Sequence, residues 1–171
     1  MNNRFKVALY TAISFLVLAS SQAFAGTATS NMSVTATVSA NCTISAGSLA
    51  FGTYDPVVTN ATTALNGTAT LSVTCTNGAA STLTLGQGSN ANTGSTDTAP
   101  LRRLKSGTNF LSYSVYQDSG RTTTWGNTAG TGVSYTGTGT TGSVTVFGAV
   151  AAGQNVPGGS YTDTVVATIT F

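Results

Sequence analysis

Four aspartates (Asp55, Asp97, Asp118 and Asp163), with no glutamate and no histidine, are the whole acid–base inventory of this 171-residue chain near neutral pH. Proton transfer at that pH usually draws on a histidine or a carboxylate with a tuned pKa, so the inventory argues against an enzyme. The tightest constellation is Asp118, Arg121 and Trp125, a carboxylate, a guanidinium and an indole within eight residues. The plainer reading is structural: Asp118-Ser119-Gly120 is turn chemistry, Arg121 can pair or stack, and the lone tryptophan plugs a core. A Ser-Lys pair from Lys105-Ser106 would point to opposite faces of an extended segment. Asp118 lacks the Asp-x-Asp-x-Asp spacing that a calcium loop needs. Arg102, Arg103 and Lys105 are too few to grip a phosphate backbone and read as a solvated strand end, so no nucleic-acid partner is expected. Cys42 and Cys75 have no histidine with which to form a Cys-His pair or a mixed zinc site. Neither a metal nor another cofactor is therefore expected.

Residues 1–25 carry the marks of a removable secretory signal. Arg4 and Lys6 are followed by the apolar run Val7 to Leu18, too short to span a bilayer, and by the small-x-small sequence Ala23-Phe24-Ala25. Without Arg4 and Lys6, four basic residues face four aspartates, and the exported chain is near neutral. In an oxidising compartment a disulfide between Cys42 and Cys75 is the default, worth roughly 3.5 to 4 kcal/mol on the chain-entropy model. The Asn-x-Ser/Thr triplets at Asn31, Asn41, Asn60 and Asn66 are what chance supplies in so threonine-rich a chain.

The elements that would position these residues are strands. Met32, Val34, Ala36, Val38, Ala40, Cys42 and Ile44 fall on alternate positions, with Ser, Thr and Asn between them. Ala69, Leu71, Val73 and Cys75 repeat the pattern and end at a hairpin-type Asn77-Gly78 turn. Further strands are expected over 81–85, 110–116, 143–150 and 161–171, with turn chemistry at Asn66-Gly67, Asp118-Ser119-Gly120 and Pro157-Gly158-Gly159. The Gly/Thr-rich stretches 86–100 and 128–142 read as long loops or weak edges. Six or seven strands without a helical period predict an all-β antiparallel sandwich of immunoglobulin type, a barrel being the alternative.

Three ordered blocks then carry a resemblance. Ala40-Asn41-Cys42-Thr43-Ile44 with Leu49-Ala50-Phe51-Gly52-Thr53-Tyr54-Asp55-Pro56, the stretch Leu104 to Gly126 with its Tyr113, Tyr116, Asp118 and Trp125, and the ending Phe147-Gly148 through Ser160-Tyr161-Thr162-Asp163 are similar to the spore coat protein U domain. Within that family the chain most resembles the major subunit of archaic, Csu-type chaperone-usher pili. The resemblance implies an incomplete immunoglobulin-like sandwich completed by strand donation. It also implies three partners: a periplasmic pilus chaperone, an outer-membrane usher, and identical or related pilus subunits.

Carried onto this chain, the donor segment falls within 26–38, with Met32, Val34, Ala36 and Val38 as pocket fillers, ahead of a domain over 39–171. Thirteen alternating residues from Met32 to Ile44 are long for one strand, and suit a donor followed by an internal strand better than a single first strand. Val165, Ala167, Ile169 and Phe171 would border the acceptor groove. The expected function is a surface pilus subunit, exported through the periplasm and serving adhesion and biofilm formation. A terminal adhesin and a non-polymerising coat protein are the alternatives.

Overall fold

The computed structural model describes residues 24–171. The basic start and apolar run assigned to an export signal lie outside the described residues. The chain divides into two units, Met1–Ala36 and Thr37–Phe171. In the first, residues 24–36 hold no helix or strand, and Met32 and Val34 are about four-fifths exposed, at 83% and 80%.

The second unit is an all-β fold of eight strands: β1 (Cys42–Ala46), β2 (Leu65–Cys75), β3 (Ala80–Leu85), β4 (Arg102–Ser106), β5 (Asn109–Tyr116), β6 (Val133–Thr136), β7 (Thr141–Val150) and β8 (Ala167–Thr170). A five-stranded sheet in the order β1-β2-β7-β5-β4 and a three-stranded sheet in the order β6-β3-β8 make up the fold, and all pairings are antiparallel. The inner rows of both sheets meet in one core of Leu71, Val73, Cys75, Leu83, Leu85, Leu111, Tyr113, Val115, Val146 and Val150 around Trp125. The outer face of β1, β2 and β7 is a ladder of hydroxyls, with Thr43 opposite Thr74 and Thr74 opposite Thr141. Alternation of apolar and hydroxyl side chains thus suffices to assign the faces of these strands.

Several expectations are corrected. The alternating run from Met32 becomes a regular strand only at Cys42, where β1 gains β2 as a partner in the register Cys42↔Cys75 to Ala46↔Leu71. Asn77-Gly78 closes no hairpin; it carries the chain from β2 in one sheet to β3 in the other. Asn66-Gly67 is not a turn but lies inside β2, where Gly67 faces Gly148 of β7. A Cβ on Gly148 would come within 2.8 Å of Leu49 and 2.9 Å of Phe51, so this bare pair makes room for two side chains laid over the sheet. The stretch 128–142 contributes β6, and the run Arg-Arg-Leu-Lys-Ser is the edge strand β4.

Arg102 is not solvated at a strand end. It is 1% exposed, its Nε donates to the Gly86 carbonyl at 2.8 Å, and one Nη donates to the carbonyls of Leu85 at 2.8 Å and Trp125 at 2.9 Å. Burial pulls its pKa down from the usual guanidinium value, opposed by the fields of Tyr113 and Asp163. Trp125 ties the sheets in the same place: its indole N–H donates to Leu83 O at 3.0 Å and its backbone N–H to Val115 O at 2.9 Å. Removing the guanidinium strands two buried carbonyls and a half-buried one. Arg102→Met is expected to cost about 3–5 kcal/mol in urea unfolding, with Arg102→Lys recovering little because one ammonium cannot span the fork.

Candidate functional site: an open groove between the sheets

Three strands cannot cover the inner face of five, and the uncovered part is the floor of a groove. One wall is the irregular segment that continues β1, from Ala46 to Tyr54; the other is the segment leading into β8. The groove has two lobes. The wider, about 980 Å³, is floored by Leu65, Leu104, Leu111 and Val150 between Leu49, Phe51 and Tyr54 on one side and Val156 and Tyr161 on the other. The narrower, about 270 Å³, lies over Ala69, Leu71, Val115 and Val146, with Leu85 behind and Val165 and Ala167 along its wall. Asp163 borders both lobes.

Local chemistry explains each wall. The first is held by the slot above Gly67 and Gly148, by Phe51 edge-on to Tyr113 with ring centroids 5.8 Å apart, and by Tyr54, whose hydroxyl donates to Ala151 O and accepts from the Gln154 N–H, both at 2.9 Å. Cys42 and Cys75 are joined, which pins β1 to β2, the described strand it is hydrogen-bonded to. The second wall alternates from Tyr161: odd residues face inward and even residues outward. Its even-numbered carbonyls are used, Thr162 O by the Lys105 N–H at 2.8 Å, Thr164 O by Ser89 and Val166 O by Gly86. The period of two therefore turns the backbone groups of Val165, Ala167 and Ile169 toward the open edge, where no strand among the described residues pairs with them.

Of the four expected groove residues, Val165 and Ala167 line the narrow lobe, Ile169 packs against the core beside it, and Phe171 is 54% exposed at the end of the row. Val38, like Met32 and Val34, is exposed, at 83%. Leu49, Phe51, Leu65, Leu104 and Leu111, which periodicity alone did not single out, supply much of the rest of the lining.

The suspected chemical residues are dispersed. Asp118 accepts the N–H groups of Thr123 at 2.7 Å and Thr122, and these donors hold its carboxyl below the usual 3.8. Asp55 is lowered in the same way by the N–H groups of Val57 and Val58. Arg121 sits at φ 56° in that turn and donates to Gly148 O at 3.0 Å, while Trp125 is in the core. Asp163 accepts from Tyr113 OH at 2.8 Å and from the backbone and side-chain nitrogens of Asn90. Desolvation, with that bond to Asp163, pushes the Tyr113 hydroxyl well above its ordinary pKa.

The two antiparallel sheets, with a groove open between them, have the architecture of an immunoglobulin-like sandwich. The fold is similar to a chain in the crystal structure of a chaperone–tip adhesion subunit pre-assembly complex from archaic chaperone-usher Csu pili of Acinetobacter baumannii. The TM-score is 0.57 at 21% identity, over 79% of this chain and 40% of the other, so this chain spans less than half of that protein. A model of the Spore Coat Protein U domain matches residues 28–168, and the chain is 50% identical over 173 residues, 96% of each chain, to "Protein U" of Myxococcus xanthus. The chain belongs to the spore coat protein U family.

Two outcomes are expected. Replacing both cysteines by serine should strip amide-exchange protection from Thr43 and Ser45 while β5 and β7 stay protected, since β2 is the one described strand hydrogen-bonded to β1. Asp55 and Asp118 have folded-state pKa values below the unfolded one, so their stabilisation is full above about pH 4 and is lost as pH falls through the lowered values. Melting temperature should hold between pH 7 and 5 and drop below 4, and Asp118→Ala should flatten that drop.

Proposed function

We propose that this chain is an exported structural subunit of a surface pilus of the chaperone-usher kind, assembled by strand donation and serving adhesion and biofilm formation, and that it catalyses nothing. The observation that carries this reading is the groove: an apolar trough floored by core residues and flanked by the unpaired edge of β8. A periplasmic chaperone would fill it first, and an outer-membrane usher would exchange the chaperone strand for a donor from the next subunit. Residues 1–25 act as the export signal, 26–38 as the donor and 39–171 as the acceptor domain. Met32, Val34 and Val38 support this assignment, being exposed apolar side chains in one alternating row with Ala36. Added strands gain main-chain hydrogen bonds along the edge and place alternate side chains in pockets. The solved chaperone–tip subunit complex with the same fold supports a chaperone as partner.

The match to the Spore Coat Protein U domain favours a second reading, a coat protein, here taken as one that does not polymerise. The two diverge under substitution. Val34→Asp places an unpaired carboxylate in an apolar pocket, at a cost of several kcal/mol. Electron microscopy of cells expressing the subunit with its chaperone and usher should then show fibres lost for Val34→Asp and Ala36→Asp and kept for Thr35→Asp and Thr37→Asp, with chaperone binding intact in all four. Normal fibres from Val34→Asp would overturn the donor assignment, and the coat reading stands only if the unsubstituted subunit forms no fibres. Loss of chaperone binding as well would assign the segment to the subunit's own fold.

A further inference from the structure

The inward row of the second wall reads Tyr161, Asp163, Val165, Ala167 and Ile169: one carboxylate in an apolar series. Asp163 sits where the two lobes meet. It cannot swing aside, because Tyr113 OH holds one oxygen at 2.8 Å and Asn90 holds the other through two nitrogens, at 3.1 and 3.0 Å. The loop behind it is closed up against it: Gly88 has φ +87°, and a Cβ there would run into the Asp163 carboxylate. The carboxylate is therefore a fixed, already satisfied ledge at the level where the two lobes meet. An incoming strand needs no charge partner for it, but must be narrow where it crosses.

We infer that Asp163 sets the register of the donated strand by admitting only a small residue at its level, and that in this chain the residue is Ala36. The inference rests on the strand-donation reading above. In an antiparallel strand with Ala36 level with Asp163, Val34 lies beside Val165, Met32 beside Ala167 and Val38 beside Tyr161. The longest donor side chain then meets the smallest wall residue, and Val38 enters the wide lobe. A shift of two residues in either direction drives Val34 or Val38 onto the ledge. Antiparallel pairing is also the geometry of every strand pair in the domain. A strand run the other way in the same groove could set Ser30 at Asp163, and this would bring Val34 beside Ala167.

Engineered cysteine pairs between successive subunits read the register directly, since neighbouring strands place opposed Cα atoms within disulfide reach. Subunits are assembled from their chaperone complexes and intersubunit cross-links scored on non-reducing gels. Val34→Cys with Val165→Cys should cross-link at least tenfold more than Val34→Cys with Ala167→Cys. The reverse ratio overturns the register and leaves strand donation standing. Cross-links from neither pair, with no fibres from the unsubstituted subunit, would defeat the donation reading itself. The ledge has its own test. Ala36→Leu should cut fibre yield at least tenfold, and Asp163→Ala in the acceptor should restore it; full assembly by Ala36→Leu alone overturns the role of Asp163. Should Asp163→Ala fail to fold, chaperone-held Ala36→Leu subunits still decide the point. A fibre yield at most a tenth of normal from these subunits supports the ledge, and unshifted Val34→Cys to Val165→Cys cross-linking at normal yield refutes it.

Discussion

A β-sheet with one apolar face must set that face against something else. In this domain the five-stranded sheet offers an inner surface wider than the three-stranded sheet can cover, and the rest of the molecule is organised around that mismatch. The covered part is sealed by Trp125, bonded to β3 through its indole and to β5 through its backbone, and by Arg102, which collects three carbonyls at the same junction. The uncovered part is kept open by two walls that are themselves held rigidly, one by the disulfide and the Gly67–Gly148 slot, the other by backbone bonds to β4 and to the loop after β3. The site is thus a by-product of packing rather than a cluster of reactive groups.

Much of this was legible in the residues. Strict alternation marked the faces of β2 and of the last strand, and it placed Cys42 and Cys75 on apolar rows of neighbouring strands, where they are joined. The all-β antiparallel class followed from the same period. What escaped was non-local. Nothing in Arg-Arg-Leu-Lys-Ser reveals that its first arginine is buried, because the three carbonyls that accept it come from residues 16 to 23 positions away or so along the chain. Asn66-Gly67 reads locally as a turn, yet the glycine is there for the Phe51 ring, 16 residues earlier. The short strand β6 is hidden in threonine and glycine.

The groove shows the same division. Val165 and Ala167 could be picked out because they alternate within a continuous run. Leu49 and Phe51 lie in Ser-Leu-Ala-Phe-Gly, too short and irregular to display a period, and they become wall residues only because β2 and β7 pair glycine with glycine beneath them. Asp163 alternates with its neighbours as faithfully as any valine. Its inward direction could have been read from the phase, but not its partners Tyr113 and Asn90, which arrive from β5 and the loop after β3.

The scarcity of charge has an effect of another kind. From residue 26 onward the chain offers four bonds to a protease that cuts after lysine or arginine, at Arg102, Arg103, Lys105 and Arg121. Three lie in β4, whose backbone is paired with β5 along its length and with Thr162 on the other side at Lys105. The fourth is in a turn whose backbone is clamped by Asp118 and whose guanidinium is engaged by Gly148. A protease must thread an extended, unpaired segment through its cleft, and none of the four is presented that way. Digestion of the folded domain by such an enzyme has to wait for the sandwich to open, so its lifetime in the presence of that enzyme is governed by unfolding.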